Sequence, residues 1–243
     1  MSKKIVVMLL LFQLGIAAAQ TNGRITYKAF FAKSEATEEL KAQNRMRYQE
    51  RLDEEMMAKL LTYNLDFNQN ESLFYLSKSL ISEHENQETK KYVTGLFYGY
   101  DKIYTNRKKD ELIEQLYYGF GTILKLRKAS MIQWKLTNET KVISGYKCFK
   151  ATYTYLQKWR GKEFPWEVVA WYTPDISLPY GPIRYSGLPG LILELSEDNR
   201  GFVVDKIEFS KEQVTVEKPS KGEVLTEEEM YKRHKKAKEQ LSN

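Results

Sequence analysis

The stretch Ser186-Gly187-Leu188-Pro189-Gly190-Leu191-Ile192-Leu193-Glu194-Leu195 constrains the fold more than any other. Leu188 precedes a proline and is pushed toward extended geometry. Pro189-Gly190 has the chemistry of the two central positions of a type II turn, with proline presetting φ and glycine accepting a positive φ. A short strand then follows, with Leu191, Leu193 and Leu195 expected on one face and Ile192 and Glu194 on the other. Upstream, Tyr180-Gly181-Pro182 is a second turn signal. Two readings follow. In one, this is a rigid corner that fills the core. In the other, Trp171, Tyr180, Tyr185, Gly187, Leu188, Pro189, Gly190, Leu191 and Ile192 form the lip of a binding groove, where glycine permits close approach of a partner.

Around this corner the chain reads as strands. Period-two alternation marks residues 24–32, a hairpin through Asn68-Gln69-Asn70-Glu71, and aromatic-rich candidates at 91–98, 100–106, 112–119 and 121–127. Trp134 to Leu136 and Lys141 to Ile143 suggest two short strands. Cys148 to Gln157 and Phe164 to Tyr172 suggest a hairpin, with Trp166, Val168, Ala170 and Tyr172 on one face. Residues 202–209 and 213–216 supply the last strands, and the wholly polar run 82–90 reads as a loop.

One long helix is expected after Ser34 or Thr37, with Leu40, Tyr48, Leu52, Met56 and Leu60 as its buried stripe. A second, terminal helix opens at a capping box, Thr226 with Glu229, and carries a basic surface. The predicted fold is α+β: a large, curved antiparallel sheet that can close into a half-open barrel, the long N-terminal helix packed on it and a C-terminal helix. The expected layout is a signal peptide over 1–19, one domain over 20–222 and the basic helix over 223–243.

The signal peptide rests on Lys3 and Lys4, an apolar run from Ile5 to Ile16 and Ala17-Ala18-Ala19. That run is shorter than the ~20 residues of a membrane span. No cysteine follows it, so no lipid anchor is expected, and the mature chain should be periplasmic or secreted. Removing Lys3 and Lys4 brings the net charge from +6 to +4. A balance so mild and so well mixed argues against nucleic acid as a partner.

Gly-Leu-Pro-Gly-Leu-Ile at 187–192 resembles the signature of the bacterial GLPGLI family. The likeness extends through Gly145-Tyr146-Lys147-Cys148, Trp171-Tyr172-Thr173-Pro174-Asp175-Ile176 and Gly181-Pro182 to about Phe209. The resemblance implies an exported, envelope-associated protein with no assigned reaction, and a role beside outer-membrane receptor systems.

The chemistry-bearing residues are sparse. His84, His234 and Cys148 are far apart and lack the spacing of a zinc site, and no cofactor is expected. Arg184 stands where a G-x-S-x-G elbow would need glycine. Cys148 reads as a small buried hydrophobe or a reactive thiol. Asp175 and Glu194 flank the keystone and form the least bland carboxylate pair. Seventeen tyrosines, eleven phenylalanines and four tryptophans supply amphipathic surface, concentrated at Tyr92, Phe97, Tyr98, Tyr100, Tyr104, Tyr117 and Tyr118. The leading expectation is a non-catalytic exported protein that binds an apolar lipid or peptide ligand, or an outer-membrane receptor. The alternative is a hydrolase using Cys148 or the Asp175/Glu194 pair.

Overall fold

The computed structural model describes residues 21–77, 86–118, 121–159 and 162–226, together with 229, 232, 233, 235 and 236. The expected signal peptide and His84 lie outside them, as do His234 and most of the terminal helix.

Twelve strands form one open sheet: β1 (Gly23–Phe31), β2 (Thr62–Phe67), β3 (Glu71–Leu76), β4 (Lys102–Asn106), β5 (Glu111–Tyr118), β6 (Gly121–Arg127), β7 (Lys135–Ile143), β8 (Tyr146–Trp159), β9 (Lys162–Thr173), β10 (Leu191–Glu197), β11 (Arg200–Phe209) and β12 (Glu223–Val224). Their order is β12-β6-β5-β4-β3-β2-β1-β11-β10-β9-β8-β7. All neighbours are antiparallel except β12, which runs parallel to β6. The chain thus starts in the middle of the sheet. It builds one wing outward, through helix-bearing connections from β1 to β2 and from β3 to β4 and short hairpins between the others, jumps to the other edge at β7, and returns to close against β1 through β11.

Three helices are described: α1 (Glu38–Gln43), α2 (Arg45–Leu60) and α3 (Gln87–Leu96). The single long N-terminal helix is therefore corrected to two. Asn44 breaks it in an extended conformation, φ −153° and ψ 93°, and its side chain caps α2 by accepting from the Arg47 N–H at 3.0 Å. The predicted stripe fails with it. Residues spaced by four drift by about 40° per step on a helix of 3.6 residues per turn, so Met56 and Leu60 point to solvent. Met57, Ala58 and Leu61 are buried instead, and α2 packs on β1.

Other expectations are corrected too. The polar run and first aromatic candidate around residues 87–96 form α3, capped by Asn86, whose side chain accepts from the N–H groups of Glu88 and Thr89. The two short strands at 134–143 are one strand, β7, with a register irregularity between Leu136 and Thr140. Residues 213–216 form no strand. Val214 and Val216 cover one side of the β3–β6 wing, against Leu73, Tyr104, Ile113 and Leu124. Glu223–Val224 is a strand rather than the start of a helix, although the Thr226–Glu229 capping box does form.

The main core lies on the other face. Tyr63, Phe74, Phe97 and Phe202 meet there in edge-on and stacked contacts 5.1–6.0 Å apart. Segment 174–190 runs over this face as an internal plug: Ile176, Leu178, Tyr180, Ile183, Tyr185 and Leu188 are all buried. It ties to both wings. The Tyr180 ring packs on Phe67 of β2, while the Trp134 indole donates to the Ser186 carbonyl at 2.9 Å.

The keystone closes differently from a type II turn. The Gly190 N–H bonds the Leu188 carbonyl at 2.8 Å, a three-residue γ-turn about Pro189, and the Leu191 N–H returns to the Ile176 carbonyl. Gly190 adopts φ +153°, and a Cβ there would sit 2.0 Å from the Thr173 carbonyl oxygen. Glycine is needed for that approach. Leu191, Ile192, Leu193 and Leu195 are all inaccessible to solvent, because the strand is irregular between Ile192 and Glu194 and both of its faces are covered.

Candidate functional site

Strand alternation puts five polar or aromatic side chains on the main face: Glu114 of β5, Tyr155 of β8, Trp166 of β9, Glu197 of β10 and Arg200 of β11. The plug adds Arg184 and Tyr185, and the second residue after α3 adds Tyr98. Together they form an ionic cage around two buried carboxylates, Glu114 and Glu197.

Glu197 is 2 % exposed and accepts three tyrosine hydroxyls: Tyr185 at 2.6 Å, Tyr98 at 2.7 Å and Tyr155 at 2.9 Å. Burial alone would push its carboxyl up. The charge of Arg184 and the hydroxyls of Tyr185 and Tyr98 outweigh that and hold it below the ordinary range. Burial pushes the tyrosines the other way: Tyr98 rises to about 12, and Tyr155 and Tyr185 rise further. All three therefore remain donors at neutral pH.

Arg184 Nε lies 2.9 Å from Glu114 Oε1, and an Arg184 terminal nitrogen is 3.8 Å from Glu197 Oε1. Burial would lower the guanidinium pKa, but the charge of Glu114 outweighs it and keeps the group ionised. Glu114 also accepts from Arg127 at 3.0 Å. The Tyr98 ring stands between two cations, 5.4 Å from Arg184 and 5.0 Å from Arg200.

The backbone around the cage is strained. Ile183 has φ +55°, an outlier for a β-branched residue, and it directly precedes Arg184. Tyr98, at φ +60°, fills the helix-ending position where glycine is usual, and Asp198, at φ +56°, follows Glu197. Such conformations cost of order 1–3 kcal/mol each and persist only where surrounding contacts impose them.

Above the cage opens a cleft of about 560 Å³. Arg51 of α2 and Tyr92 of α3 line one side, Tyr155, Gln157 and Trp166 of the β8–β9 hairpin the other, and Arg184 and Arg200 the floor. Two buried donors here have no hydrogen-bond acceptor: Trp166 Nε1 and Arg184 Nε, whose contact with Glu114 is one of charge without hydrogen-bond geometry.

The residues expected to form a groove lip are placed elsewhere or within the core. Tyr185 joins the cage through its hydroxyl. Tyr180, Leu188, Leu191 and Ile192 are buried in the core, and Gly187 and Pro189 are exposed. Trp171 is half-buried on the opposite face, with the Lys141 ammonium 4.5 Å from its ring centroid. Lys141 also donates to both oxygens of Glu194 at 2.7 Å.

Asp175 is exposed in a turn. Cys148 is buried, and burial pushes its thiol up to about 11. Among the described residues no cluster of three His, Cys, Asp or Glu side chains forms a metal site. None of their helices is long and apolar enough to cross a membrane.

The sequence reading missed Glu197, Arg184, Glu114, Tyr155 and Arg200. The one visible signal was Arg184 between two turn-forming segments, an arginine in an otherwise apolar corner.

The fold and cage define a β-rich protein built on one open twelve-stranded sheet. A family model described as "Protein of unknown function (Porph_ging)" matches residues 158–194, the stretch from the end of β8 through the plug into β10. No curated protein matches the chain. Two solved structures of PNGF-II, in different crystal forms, are similar at TM-scores of 0.45 and 0.44 with 17% and 16% identity. They cover 80% of this chain but only 28% and 29% of their own. The chain thus spans less than a third of those proteins.

Proposed function

We propose that this is an exported, non-catalytic cell-envelope protein that binds a ligand in the cleft above Glu197, as an accessory to an outer-membrane receptor. The observation that carries the reading is the buried, unsatisfied donor Trp166 Nε1 at this cleft. An orphaned buried donor costs about 1–3 kcal/mol, and one beside a strained cage is explained by a ligand that supplies the acceptor. The sheet is read as a half-open barrel and the cleft as its mouth.

Export and the receptor role rest on the leader-like residues 1–19 and on the GLPGLI likeness at Gly187–Ile192, which falls inside the matched 158–194 stretch. The hydrolase reading draws no support from the geometry. The Cys148 thiol is buried and protonated, and Lys141 holds Glu194.

Native mass spectrometry of the protein isolated gently from its own cell envelope tests the proposal. A discrete small-molecule or peptide adduct, lost from a Trp166→Phe variant, is the expected result. A reproducibly bare chain would overturn it.

A further inference from the structure

The chemistry of the cleft narrows what fills it, and this step rests on the binding reading above. The first constraint is charge. Arg51 pairs with Glu54 and with Glu35, Arg184 with Glu114, and Arg200 lies 3.7 Å from Glu197 while donating to the Leu96 carbonyl. Each arginine of the cleft already has a carboxylate, and Asp198 adds a further negative charge to its lining. An anion entering here would meet the buried Glu114 and Glu197 with no surplus cation to hold it. The arrangement selects against carboxylates and phosphates.

The second constraint is the hydrogen-bond inventory. Trp166 Nε1 can only donate, and it has no acceptor. The Gln157 amide, which can do both, has no hydrogen-bond partner among the described residues and lines the same cleft. The missing ligand must bring neutral acceptors, and it gains from offering a donor as well. The third constraint is shape. Trp166 and Tyr155 stand side by side, 6.5 Å between ring centroids and 34° apart in plane, with Tyr92 exposed across the cleft. Such faces suit a ring with an apolar flank and a polar rim.

We infer that the cleft binds a neutral saccharide, with a ring hydroxyl accepting from Trp166, others exchanging hydrogen bonds with Gln157, and a sugar face against the Trp166–Tyr155 pair. The cage beneath fixes Arg184 and Tyr155 before the ligand arrives, so little ordering cost falls on binding.

The test is a titration of ¹⁵N-labelled protein with a panel of neutral disaccharides and an acidic sugar of similar size, followed on the tryptophan indole N–H resonances. Trp166→Phe assigns its signal by subtraction. The expected result is a saturable shift of the Trp166 indole alone with at least one neutral sugar at up to about 10 mM. Binding should weaken at least tenfold, roughly, in Gln157→Ala, whose half-buried side chain carries no structural bond. It should hold its affinity in about 0.5 M NaCl, where an ionic contact would be screened.

No Trp166 shift across the neutral panel overturns the inference, as does binding only by the acidic sugar. A silent panel beside a peptide or lipid adduct in the native mass spectrum rejects the saccharide while the binding reading stands. Silence in both rejects both.

Discussion

Glu114 of β5 and Glu197 of β10 stand on strands six places apart in the sheet, yet both lie against the guanidinium of Arg184, at 2.9 and 3.8 Å. In a flat sheet those strands would be about 29 Å apart at the usual spacing between neighbours. One side chain reaches both because the sheet curls around the plug. The plug is thus the inner surface on which the two wings meet, and Arg184 makes a charged contact with each.

The glycines of the keystone separate close approach from turn strain. Gly190→Ala forces a Cβ onto the Thr173 carbonyl, at 2.0 Å, and should cost several kcal/mol or prevent folding. Gly187→Ala, at φ +91° with open space for 4 Å around the added methyl, should cost only about 1 kcal/mol. Urea denaturation of the two variants checks the order. Equal losses would mean that the contact with β9 does not matter.

Asp101 gives a pH signature opposite to that of most carboxylates. Burial pushes its carboxyl up from 3.8 to about 6; the Tyr117 N–H and Arg184 oppose the rise, and Glu114 adds to it. The folded state therefore holds this proton more tightly than the unfolded chain. Its ionisation takes stability away as pH rises from about 4 through about 6, and the full penalty stands above that. Asp101→Asn should stabilise the protein by on the order of 2 kcal/mol at pH 8 and by almost nothing near pH 4. Denaturation midpoints at both pH values decide it; a gain that does not change with pH contradicts the assignment.

Cys148 should behave as core. Its buried thiol, held near 11, should resist a thiol reagent at pH 8 in the folded protein and react at once in urea. Labelling of the folded protein at the rate of a free thiol would revive a nucleophilic role.

The strands were largely legible because alternation of apolar and polar residues is local, and β1, β8, β9 and β11 all carry it. The first aromatic candidate failed because Val93, Thr94 and Phe97 favour strands individually, while Asn86, the cap that turns them into α3, stood inside a run of polar residues. The long helix failed at Asn44, where a side-chain cap outweighed continuity.

The cage was legible only in fragments: Tyr98, Tyr185 and Arg184 drew notice singly, and nothing joined them. Its carboxylates come from β5 and β10, which meet only through the curl of the sheet. Glu194, one alternation away from the keystone leucines, drew notice that belonged to Glu197. Asp175 and Glu194 are close in the chain, but the turn leaves one exposed and Lys141 takes the other.

The central claim, that Arg184 joins the two wings through Glu114, is tested most directly by a double-mutant cycle with Glu114→Gln, Arg184→Met and the pair, read by chemical denaturation. Each single variant leaves a buried charge short of a partner and should lose about 3 kcal/mol. The pair should lose much less than their sum, with a coupling of about 2 kcal/mol. Losses that add to within about 0.5 kcal/mol would show that the two side chains do not hold the wings together, and would contradict the account.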